Sequence, residues 1–500
     1  MSVKIRPYKF DGIDQYVKRY SAERLNPLFD DGVADILERV GLRPNHMPRS
    51  VYRPQKLYDA LYAYYDLHRL PFKKDVHFKK GVDYAWRIFA KPLDEPYLRP
   101  LPYDYSLVDS LSNAKASAGL TAYGQNKLDA FPRGLERGMA IMKGERSPEP
   151  CLAMARTQKN DKTRLVWCYP LSMNLVETQY ARPLIERFKT FKSPMHFGVA
   201  QRVTSSSLRR MADMYKYAYS LDYSQFDASL SREMIFAAFR ILQTWFDTSG
   251  NVNDVPNARW PWEEQGIKHS DVWSKIVNYF VTSPIVMPDG NLYYGRRSGV
   301  PSGSFFTQII DSICNVMLVG MINHRYNLRI KEDQVFVLGD DCLIYTNKHF
   351  DLKRVSRFLH NRKVTLNADK CEVGDSNEVH FLGRNWVYGK PTAPMQELVD
   401  KVTQPESYRK YAYPESDYEK ELILKSYASV YHNFMTAYFE SFNSDFPKTI
   451  QFLDMSGNGD VNPRHLSGLE AFNLKYLGKS TSSGILATVW RSEERRVGKE

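Results

Sequence analysis

Two adjacent carboxylates, Asp340 and Asp341, interrupt an apolar stretch and are the first candidates for chemistry. They stand within V-F-V-L-G-D-D-C-L-I-Y, residues 335–345. A short run rich in Val, Leu and Ile predicts a buried strand, and Gly339 bends it so that both carboxylates sit at a tight turn, half of a β-hairpin. Such a pair repels itself and resists desolvation, so it needs a cation or a basic partner unless the turn is simply solvated.

A second acidic pair lies in Y-S-L-D-Y-S-Q-F-D-A-S-L, residues 219–230. A short strand from Lys216 to Leu221 would deliver Asp222 at its end, and Asp227 follows where a turn leads into a helical pattern over 232–245. A carboxylate at the tip of one strand can meet another at the tip of a neighbouring strand. We therefore expect Asp222 to face Asp340, with Asp227 either nearby or acting only as a helix cap.

Basic residues precede an apolar run in R-T-Q-K-N-D-K-T-R-L-V-W-C-Y-P, residues 156–170. In an extended segment Lys162 and Arg164 would face the same side, because side chains repeat with a period of two. Such a pair could hold a triphosphate, with the guanidinium as a fork and the ammonium as a point charge. The alternative is a solvated basic loop.

A glycine-rich loop, S-G-V-P-S-G-S at 298–304, leads into a long helical pattern that begins at Phe305. Thr307, Asp311 and Asn315 recur every fourth residue, so they lie on one stripe of that helix. The stripe is either the solvent face or a set of hydrogen-bonding groups for sugar hydroxyls. A second flexible loop, S-N-A-K-A-S-A-G at 112–119, is small enough for close approach by another chain.

The elements around these residues can be placed from local patterns. Residues 283–297 predict a hairpin with Asp289 and Gly290 in its turn. Helical patterns cover 32–40, 351–361 and 418–442, and Val379–Trp386 predicts a strand with a bend at Gly383. The polar stretch 246–282 is expected to be an excursion from the main sheet.

Composition describes a folded, basic protein. The 500 residues are 43% hydrophobic and 25% charged, and the formal net charge of +12 indicates a polyanionic partner, most simply nucleic acid. Five cysteines without C-x-x-C spacing argue against a disulfide framework or a zinc site, and favour a reducing compartment. The sequence shows no membrane-spanning run or secretion signal.

The last ten residues, R-S-E-E-R-R-V-G-K-E at 491–500, resemble the conceptual translation of a sequencing adapter. We exclude them from fold reasoning, as one excludes a fusion scar. The expectation is that the natural C-terminus is missing.

Taken in order, the motifs resemble the palm series of viral RNA-dependent RNA polymerases. They are K-x-R at 162–164, D-x-x-x-x-D at 222–227, S-G-x-x-x-T at 302–307, G-D-D at 339–341, a downstream Lys370 and F-L-G-R at 381–384. Their wording looks most like the polymerases of picobirnaviruses and partitiviruses, which are double-stranded RNA viruses. The resemblance covers about residues 105–390.

The resemblance implies an α+β right hand of fingers, palm and thumb, with an antiparallel palm sheet flanked by helices. It places an N-terminal extension that bridges fingers and thumb at 1–100, fingers leading into the palm at 101–215 and the first part of the palm at 216–245. A fingers insertion follows at 246–295, the second part of the palm at 296–390 and a truncated helical thumb at 391–490.

The resemblance also implies roles for single residues. Asp222, Asp340 and Asp341 would bind two Mg²⁺ ions, which Mn²⁺ can replace, and Lys370 would be the general acid for pyrophosphate. The residues assigned to the nucleotide are Arg156, Lys162, Arg164, Asp227, Ser302, Gly303, Thr307, Asp311 and Asn315. The template would contact Ser112, Ser117 and Gly119. Many positive-strand relatives carry Asn at the position of Asp311, so Asp227 together with either Asp311 or Asn315 would test for the ribose 2′-OH.

The implied function is copying of viral RNA from NTPs, for replication and transcription of a double-stranded RNA genome. RNA template, nascent RNA, NTPs and a viral capsid protein would be the partners, in the virion interior and the host cytoplasm rather than in a secreted form. Two alternatives remain: a reverse transcriptase, or a noncatalytic RNA-binding or capsid protein whose charge alone accounts for function.

Overall fold

The computed structural model of the protein describes residues 3–25, 29, 34, 43–47, 51–65, 74–111, 114–158, 161–199, 201–252, 266–392, 396, 399–400 and 403–404. The helix predicted over 418–442 lies outside them, and so does the one over 32–40 except for Ala34.

The chain divides into two units. One comprises residues 1–23, 53–156 and 164–389, and the other residues 24–52, 157–163 and 390–500. Within the second unit, Arg24 pairs with Tyr52 in an antiparallel bridge, and the backbone N–H of Asn45 donates to the Asp400 carboxylate at 2.8 Å. All the residues discussed below as a site belong to the first unit, apart from Lys162.

The described helices and strands are numbered here in chain order. The helices are α1 (Ile13–Ser21), α2 (Pro54–Ala63), α3 (Val76–Phe89), α4 (Phe131–Lys143), α5 (Leu171–Thr190), α6 (Gln201–Met214), α7 (Phe226–Ser229), α8 (Arg232–Gln243), α9 (His269–Thr282), α10 (Thr307–Tyr326) and α11 (Leu352–His360). The strands are β1 (Lys4–Pro7), β2 (Cys151–Gln158), β3 (Lys162–Cys168), β4 (Tyr217–Leu221), β5 (Tyr223–Ser224), β6 (Ile285–Val286), β7 (Asn291–Tyr294), β8 (Val335–Leu338), β9 (Asp341–Thr346), β10 (Thr365–Leu366), β11 (Glu372–Asp375), β12 (Glu378–Phe381), β13 (Arg384–Val387) and β14 (Lys390–Thr392).

The sheet that carries the acidic residues has four strands in the order β11-β4-β9-β8, all antiparallel. Its β8 edge is covered by a short segment of the chain, because the N–H of Val337 donates to the Pro194 carbonyl and the N–H of His196 donates to the Val337 carbonyl. The backbone groups at this point of the edge strand are therefore paired rather than exposed.

Alternation along these strands divides their side chains between two cores. Val335 and Val337 of β8 face a large core that includes α10, while Phe336 between them joins a smaller core with α6 and the β12–β13 hairpin. The same alternation occurs on β9, where Cys342 and Ile344 join the large core. Both faces of the sheet are thus buried, which explains why β8 and β9 are continuous apolar runs.

A second sheet has the order β1-β7-β6-β2-β3. β6 and β7 form the hairpin predicted over 283–297, with Asp289 and Gly290 in its turn, and Gly290 adopts φ +78°. β2 runs parallel to β6, and β3 carries the basic residues at the end of the strand order.

Several predicted elements are confirmed. The helix over 232–245 is α8, the helical pattern from Phe305 is α10, and the one over 351–361 is α11. The strand predicted from Lys216 to Leu221 is β4, and the turn after Val335–Leu338 is the expected half of a hairpin.

The single strand predicted over 379–386 is wrong. The chain forms two strands there, β12 and β13, which pair antiparallel across a turn at Leu382 and Gly383. Both turn residues have positive φ, +55° and +70°, which is the backbone conformation that two-residue hairpin turns need.

Within the described residues, the helices all fall short of the length and apolar character that would let one cross a membrane. The five cysteines all have free thiols.

Candidate active site

The turn that holds Asp340 is fixed by helix α10. Leu338 pairs with Asp341, so Gly339 and Asp340 form a two-residue turn in which Gly339 takes φ +64°. The N–H of Gly339 donates to the Ser312 hydroxyl at 2.9 Å. The Asn315 amide donates to the carbonyls of Gly339 and Asp340, at 3.0 and 3.2 Å. Helix α10 therefore fixes the backbone of the turn through Ser312 and Asn315, while the Asp340 side chain is exposed.

The sheet register brings Asp222 to the same place. Leu221, the last residue of β4, pairs with Cys342 of β9, so the next residue, Asp222, lies beside Asp341. The sequence predicts that Asp222 faces Asp340, whereas the register sets it opposite Asp341, the residue that follows Asp340. Asp222 is also exposed.

The segment that carries Lys370 folds onto the end of β4. The N–H of Asn367 donates to the Asp222 carbonyl at 2.9 Å, and the Asp222 N–H donates to the Cys371 sulfur at 3.2 Å. Lys370 itself is exposed, and its N–H closes this turn by donating to the Asn367 carbonyl. Its backbone is therefore tied to that of Asp222.

Burial, followed by mutual repulsion, raises the pKa of three carboxylates around this point. Burial is the largest cause for Asp341, whose pKa rises to about 6, and the charges of Asp340 and Asp222 raise it further while His380 opposes them. For Asp227 the pKa also rises to about 6, because of burial and then Asp340, with Arg164 acting in the other direction.

Asp311 is the most buried member of this group. Burial, then the charges of Asp227 and Asp340, hold its pKa well above the usual range. Its Oδ1 atom is buried and has no hydrogen-bond partner within the described residues. An acidic cluster with this excess of negative charge favours a cation.

The donor set fits Mg²⁺ better than a metal that needs a closed protein cage. No group of three or more His, Cys, Asp or Glu side chains in the described part of the chain is arranged to hold a metal ion on its own. Mg²⁺ keeps several waters and is typically held by one or two carboxylates together with substrate phosphates. Asp222, Asp340 and Asp341 carry carboxylate oxygens, the kind of donor that such an ion prefers.

The predicted polar stripe on α10 does not face solvent. Asn315 is fully buried, and besides its two bonds to the turn it accepts the Tyr223 hydroxyl at 3.3 Å. Asp311, one turn earlier, instead faces the charges of Asp227 and Asp340. The Thr307 hydroxyl donates to the Pro301 carbonyl at 2.7 Å, within its own loop.

Asp227 is not a helix cap, so that alternative is wrong. It lies inside the short helix α7, and the Ser231 hydroxyl caps α8 by accepting the Met234 N–H. The carbonyl of Asp227 accepts the N–H of Val300, which connects this residue to the glycine-rich loop.

The glycine-rich loop rests on strand β3. The Ser302 hydroxyl accepts the N–H of Trp167 at 3.0 Å. Gly303 lies so close to that strand that a Cβ atom on it would be 2.0 Å from the Trp167 carbonyl oxygen. Only glycine fits this approach, and Ser302 remains exposed beside it.

The basic residues lie on the strands predicted for them. Arg156 is exposed on β2, and Lys162 and Arg164 are exposed on β3, where buried residues alternate with them. Arg164 is near enough to Asp227 to lower the pKa of that carboxyl.

Of the predicted template-binding residues, Ser112 lies outside the described residues. The Ser117 hydroxyl accepts the N–H of Gly119 at 3.1 Å. Gly119 has φ +63° and is buried, and a Cβ atom there would be 2.7 Å from the Tyr169 carbonyl. The close approach expected of this loop is thus made to the chain's own backbone.

Sequence reasoning missed two buried charges that hold the glycine-rich loop. Arg296 is fully buried and donates to the carbonyls of Ser298 and Gly299, and Glu177 on α5 is also fully buried and accepts from the loop. Glu177 left a signal, since it is the single charge in L-S-M-N-L-V-E-T-Q-Y-A at 171–181. Arg296 left none, because Arg297 stands beside it.

The fold, with its acidic strand tips, is that of a template-directed polymerase. The model of the family described as "Viral RNA-dependent RNA polymerase" matches residues 150–451, which is more than half of the chain. The protein therefore belongs to the viral RNA-dependent RNA polymerase family, as its motifs predicted.

Similar proteins are encoded by several viruses. The chain is 31% identical over 208 residues to the RNA-directed RNA polymerase of Cryptosporidium parvum virus 1, a match that covers 39% of this chain and 35% of the relative. It is 35% identical over 134 residues to that of Atkinsonella hypoxylon virus, covering 25% and 20%. The matched stretch thus spans about a third or less of these relatives' length.

Solved structures share the fold. The RNA-dependent RNA polymerase of a human picobirnavirus superposes with a TM-score of 0.67 at 16% identity, covering 94% of this chain and 90% of that one. An insertion-loop deletion mutant of the same kind of polymerase gives 0.67 at 15% identity, covering 93% of each chain. The predicted α+β right-hand fold is confirmed.

Proposed function

We propose that the protein is an RNA-dependent RNA polymerase that copies RNA from NTPs and releases pyrophosphate, for replication and transcription of a double-stranded RNA virus genome. The observation that carries the proposal is the register of β4 on β9, which sets Asp222 beside Asp341 and next to the turn of Asp340. Family membership supports the class of reaction.

In the proposed reaction the 3′-oxygen of the growing RNA bonds to the α-phosphorus of an NTP, and the bond from that phosphorus to the pyrophosphate oxygen breaks. Asp222 and Asp340, with Asp341, would hold two Mg²⁺ ions, or Mn²⁺ in their place. When bound, the ions would neutralise charge on the attacking and leaving oxygens. The pKa of Asp341 is raised first by burial and then by the charges of Asp340 and Asp222, and this closeness of three carboxylates supports the assignment.

The chain's own residues would position the nucleotide. Arg164, with Arg156 and Lys162, would bind the triphosphate, and Lys370 would donate a proton to the departing pyrophosphate. Lys370 is exposed and its backbone is tied to Asp222 through Asn367, which supports that role.

Recognition of the ribose would fall to Asp227 and Asp311. The Asn315 amide already bonds the G-D-D turn, which favours Asp311 as the group that reaches the 2′-OH. Ser302, Gly303 and Thr307 would contact the nucleotide from the glycine-rich loop. The template would pass Ser112, Ser117 and Gly119.

The division into fingers, palm and thumb at the predicted boundaries belongs to this proposal. So do the RNA and capsid partners, and a location in the virion interior and host cytoplasm. The net charge of +12 supports a nucleic-acid partner.

The test is Mg²⁺-dependent NTP incorporation on a defined RNA template by the full chain. We expect Asp340→Asn to abolish incorporation while RNA binding, measured by filter retention, stays unchanged. Asp83→Asn is the matched control, because Asp83 is exposed on α3 and pairs with exposed Lys80 at 3.7 Å. Equal incorporation by Asp340→Asn and the wild type would refute the assignment. Preferential use of dNTPs would indicate a reverse transcriptase instead.

A further inference from the structure

Helix α5 contributes one carboxylate, Glu177, that the proposed reaction does not use. The side chain is fully buried, and one oxygen, Oε2, accepts two hydrogen bonds from the glycine-rich loop. The Ser304 hydroxyl donates to it at 2.8 Å and the Phe305 N–H at 3.0 Å. Nearly one turn earlier on the same helix, the Asn174 amide donates to the Gly303 carbonyl at 3.1 Å.

The surroundings of Glu177 provide little compensation for a buried charge. Burial raises its pKa to about 8, and the Ser304 hydroxyl, the Phe305 N–H and the Lys127 ammonium lower it in part. The Lys127 ammonium lies 5.6 Å from the centre of the Phe305 ring. Burial, and then the charge of Glu177, raise the pKa of the buried Tyr169 phenol. The other oxygen, Oε1, is buried without a hydrogen-bond partner in the described chain. Burying a carboxyl group here costs free energy, and its two hydrogen bonds to the loop are what offset that cost.

The opposite end of the loop is held by a buried charge of the other sign. Arg296 donates to the carbonyls of Ser298 at 3.0 Å and Gly299 at 2.6 Å. It also donates to the Phe280 carbonyl and the Ser283 hydroxyl, each at 2.6 Å. The loop is thus fixed at both ends, and Ser302 stands exposed between them.

We propose that Glu177 is a positioning residue that fixes the end of the glycine-rich loop where α10 begins, so that Ser302 and Gly303 meet the nucleotide in one orientation. This inference rests on the proposed polymerase function. Glu177 acts through Ser304 and Phe305 and touches no reacting atom. Because Oε2 alone accepts both bonds, a glutamine with its carbonyl oxygen at that position keeps them and places only its amide nitrogen at the unpartnered Oε1 position.

Three variants of the full chain test the proposal, namely Glu177→Ala, Glu177→Gln and Ser304→Ala. Amide hydrogen exchange is measured for peptides covering 298–306 without substrate, and kcat and the KM for NTP are measured on a defined RNA. In Glu177→Ala we expect exchange at Phe305 to accelerate and the KM to rise, each by about tenfold, since the two hydrogen bonds from Ser304 and Phe305 to this side chain are lost. Glu177→Gln should restore both to within about threefold.

Glu186→Gln is the matched control, because Glu186 lies on the same helix but is exposed and pairs with Lys189 at 2.9 Å. It should change neither readout. Wild-type exchange and KM in Glu177→Ala would overturn the proposal. If Glu177→Ala does not fold, the test is made with Ser304→Ala. We expect a smaller increase in the exchange rate at Phe305 and in the KM for NTP, and no increase in either would refute the inference. Since exchange needs no substrate, a wild-type chain that fails to incorporate NTPs rejects the polymerase function separately.

Discussion

Asn315→Ala should reduce kcat as well as the stability of the fold. The substitution removes the two amide bonds to the carbonyls of Gly339 and Asp340, and leaves the buried Tyr223 hydroxyl without its acceptor. At roughly 1 kcal/mol for each hydrogen bond, with an added penalty for buried groups left unpaired, the free energy of unfolding should fall by about 2–4 kcal/mol. Of the three side-chain bonds to the turn that presents Asp340, only the one from Gly339 to Ser312 is then left. A displacement of about 1 Å in such a turn can reduce kcat by about 100-fold.

Asn323→Ala on the same helix is the matched control. The Asn323 side chain also makes two backbone bonds, to the carbonyl and N–H of Ile330 at 2.9 and 3.0 Å, but it lies two turns beyond Asn315. Urea unfolding should show a loss of about 1–2 kcal/mol, and NTP incorporation should be retained. If both variants lose kcat equally, the proposed support of the turn is refuted. If Asn315→Ala changes only the preference between NTP and dNTP, Asn315 contacts the ribose instead.

Two further predictions concern the glycine-rich loop and its support. Gly303→Ala forces a Cβ atom to within 2.0 Å of the Trp167 carbonyl oxygen, so thermal unfolding should show the free energy of unfolding reduced by about 1–3 kcal/mol. Gly374→Ala is the control, because a Cβ atom there would have nothing within 4 Å, and it should change the free energy of unfolding by less than about 0.5 kcal/mol. The wild-type free energy of unfolding should fall as pH rises from about 4.5 to about 8, because the raised pKa of Glu177 lets the folded chain keep a proton that the unfolded chain releases. Glu177→Gln should remove this part of the slope, at most about 1.4 kcal/mol for each unit of the pKa shift, and an identical slope in urea titrations would contradict the assignment.

Local patterns predicted the elements that depend on local chemistry. The runs on both sides of Gly339 are apolar because each face of β8 and β9 meets a core, and the glycine supplies the positive φ of the turn. The hairpin over 283–297 and helices α8, α10 and α11 followed from periodicity and turn residues in the same way. Motif order then predicted the family and the right-hand fold.

What the sequence did not predict depends on tertiary contacts. Leu382 in a left-handed conformation turns one expected strand into the β12–β13 hairpin, and leucine gives no local signal for that conformation. The polar stripe on α10 predicted hydrogen bonding but not that Asn315 bonds the turn of Asp340. The roles assigned to the metal-binding, nucleotide-binding and template-binding residues stay predictions that the experiments above test.

The two-sided burial of strands β8 and β9 limits how this protein can evolve. Along β8 and β9, neighbouring residues belong to different cores, so inserting or deleting one residue would exchange the two sets of side chains. The same shift would move Asp341 out of register with the end of β4. Drift in this segment should therefore proceed by replacement of one apolar residue with another, and lineages that differ in length should differ in the loops instead.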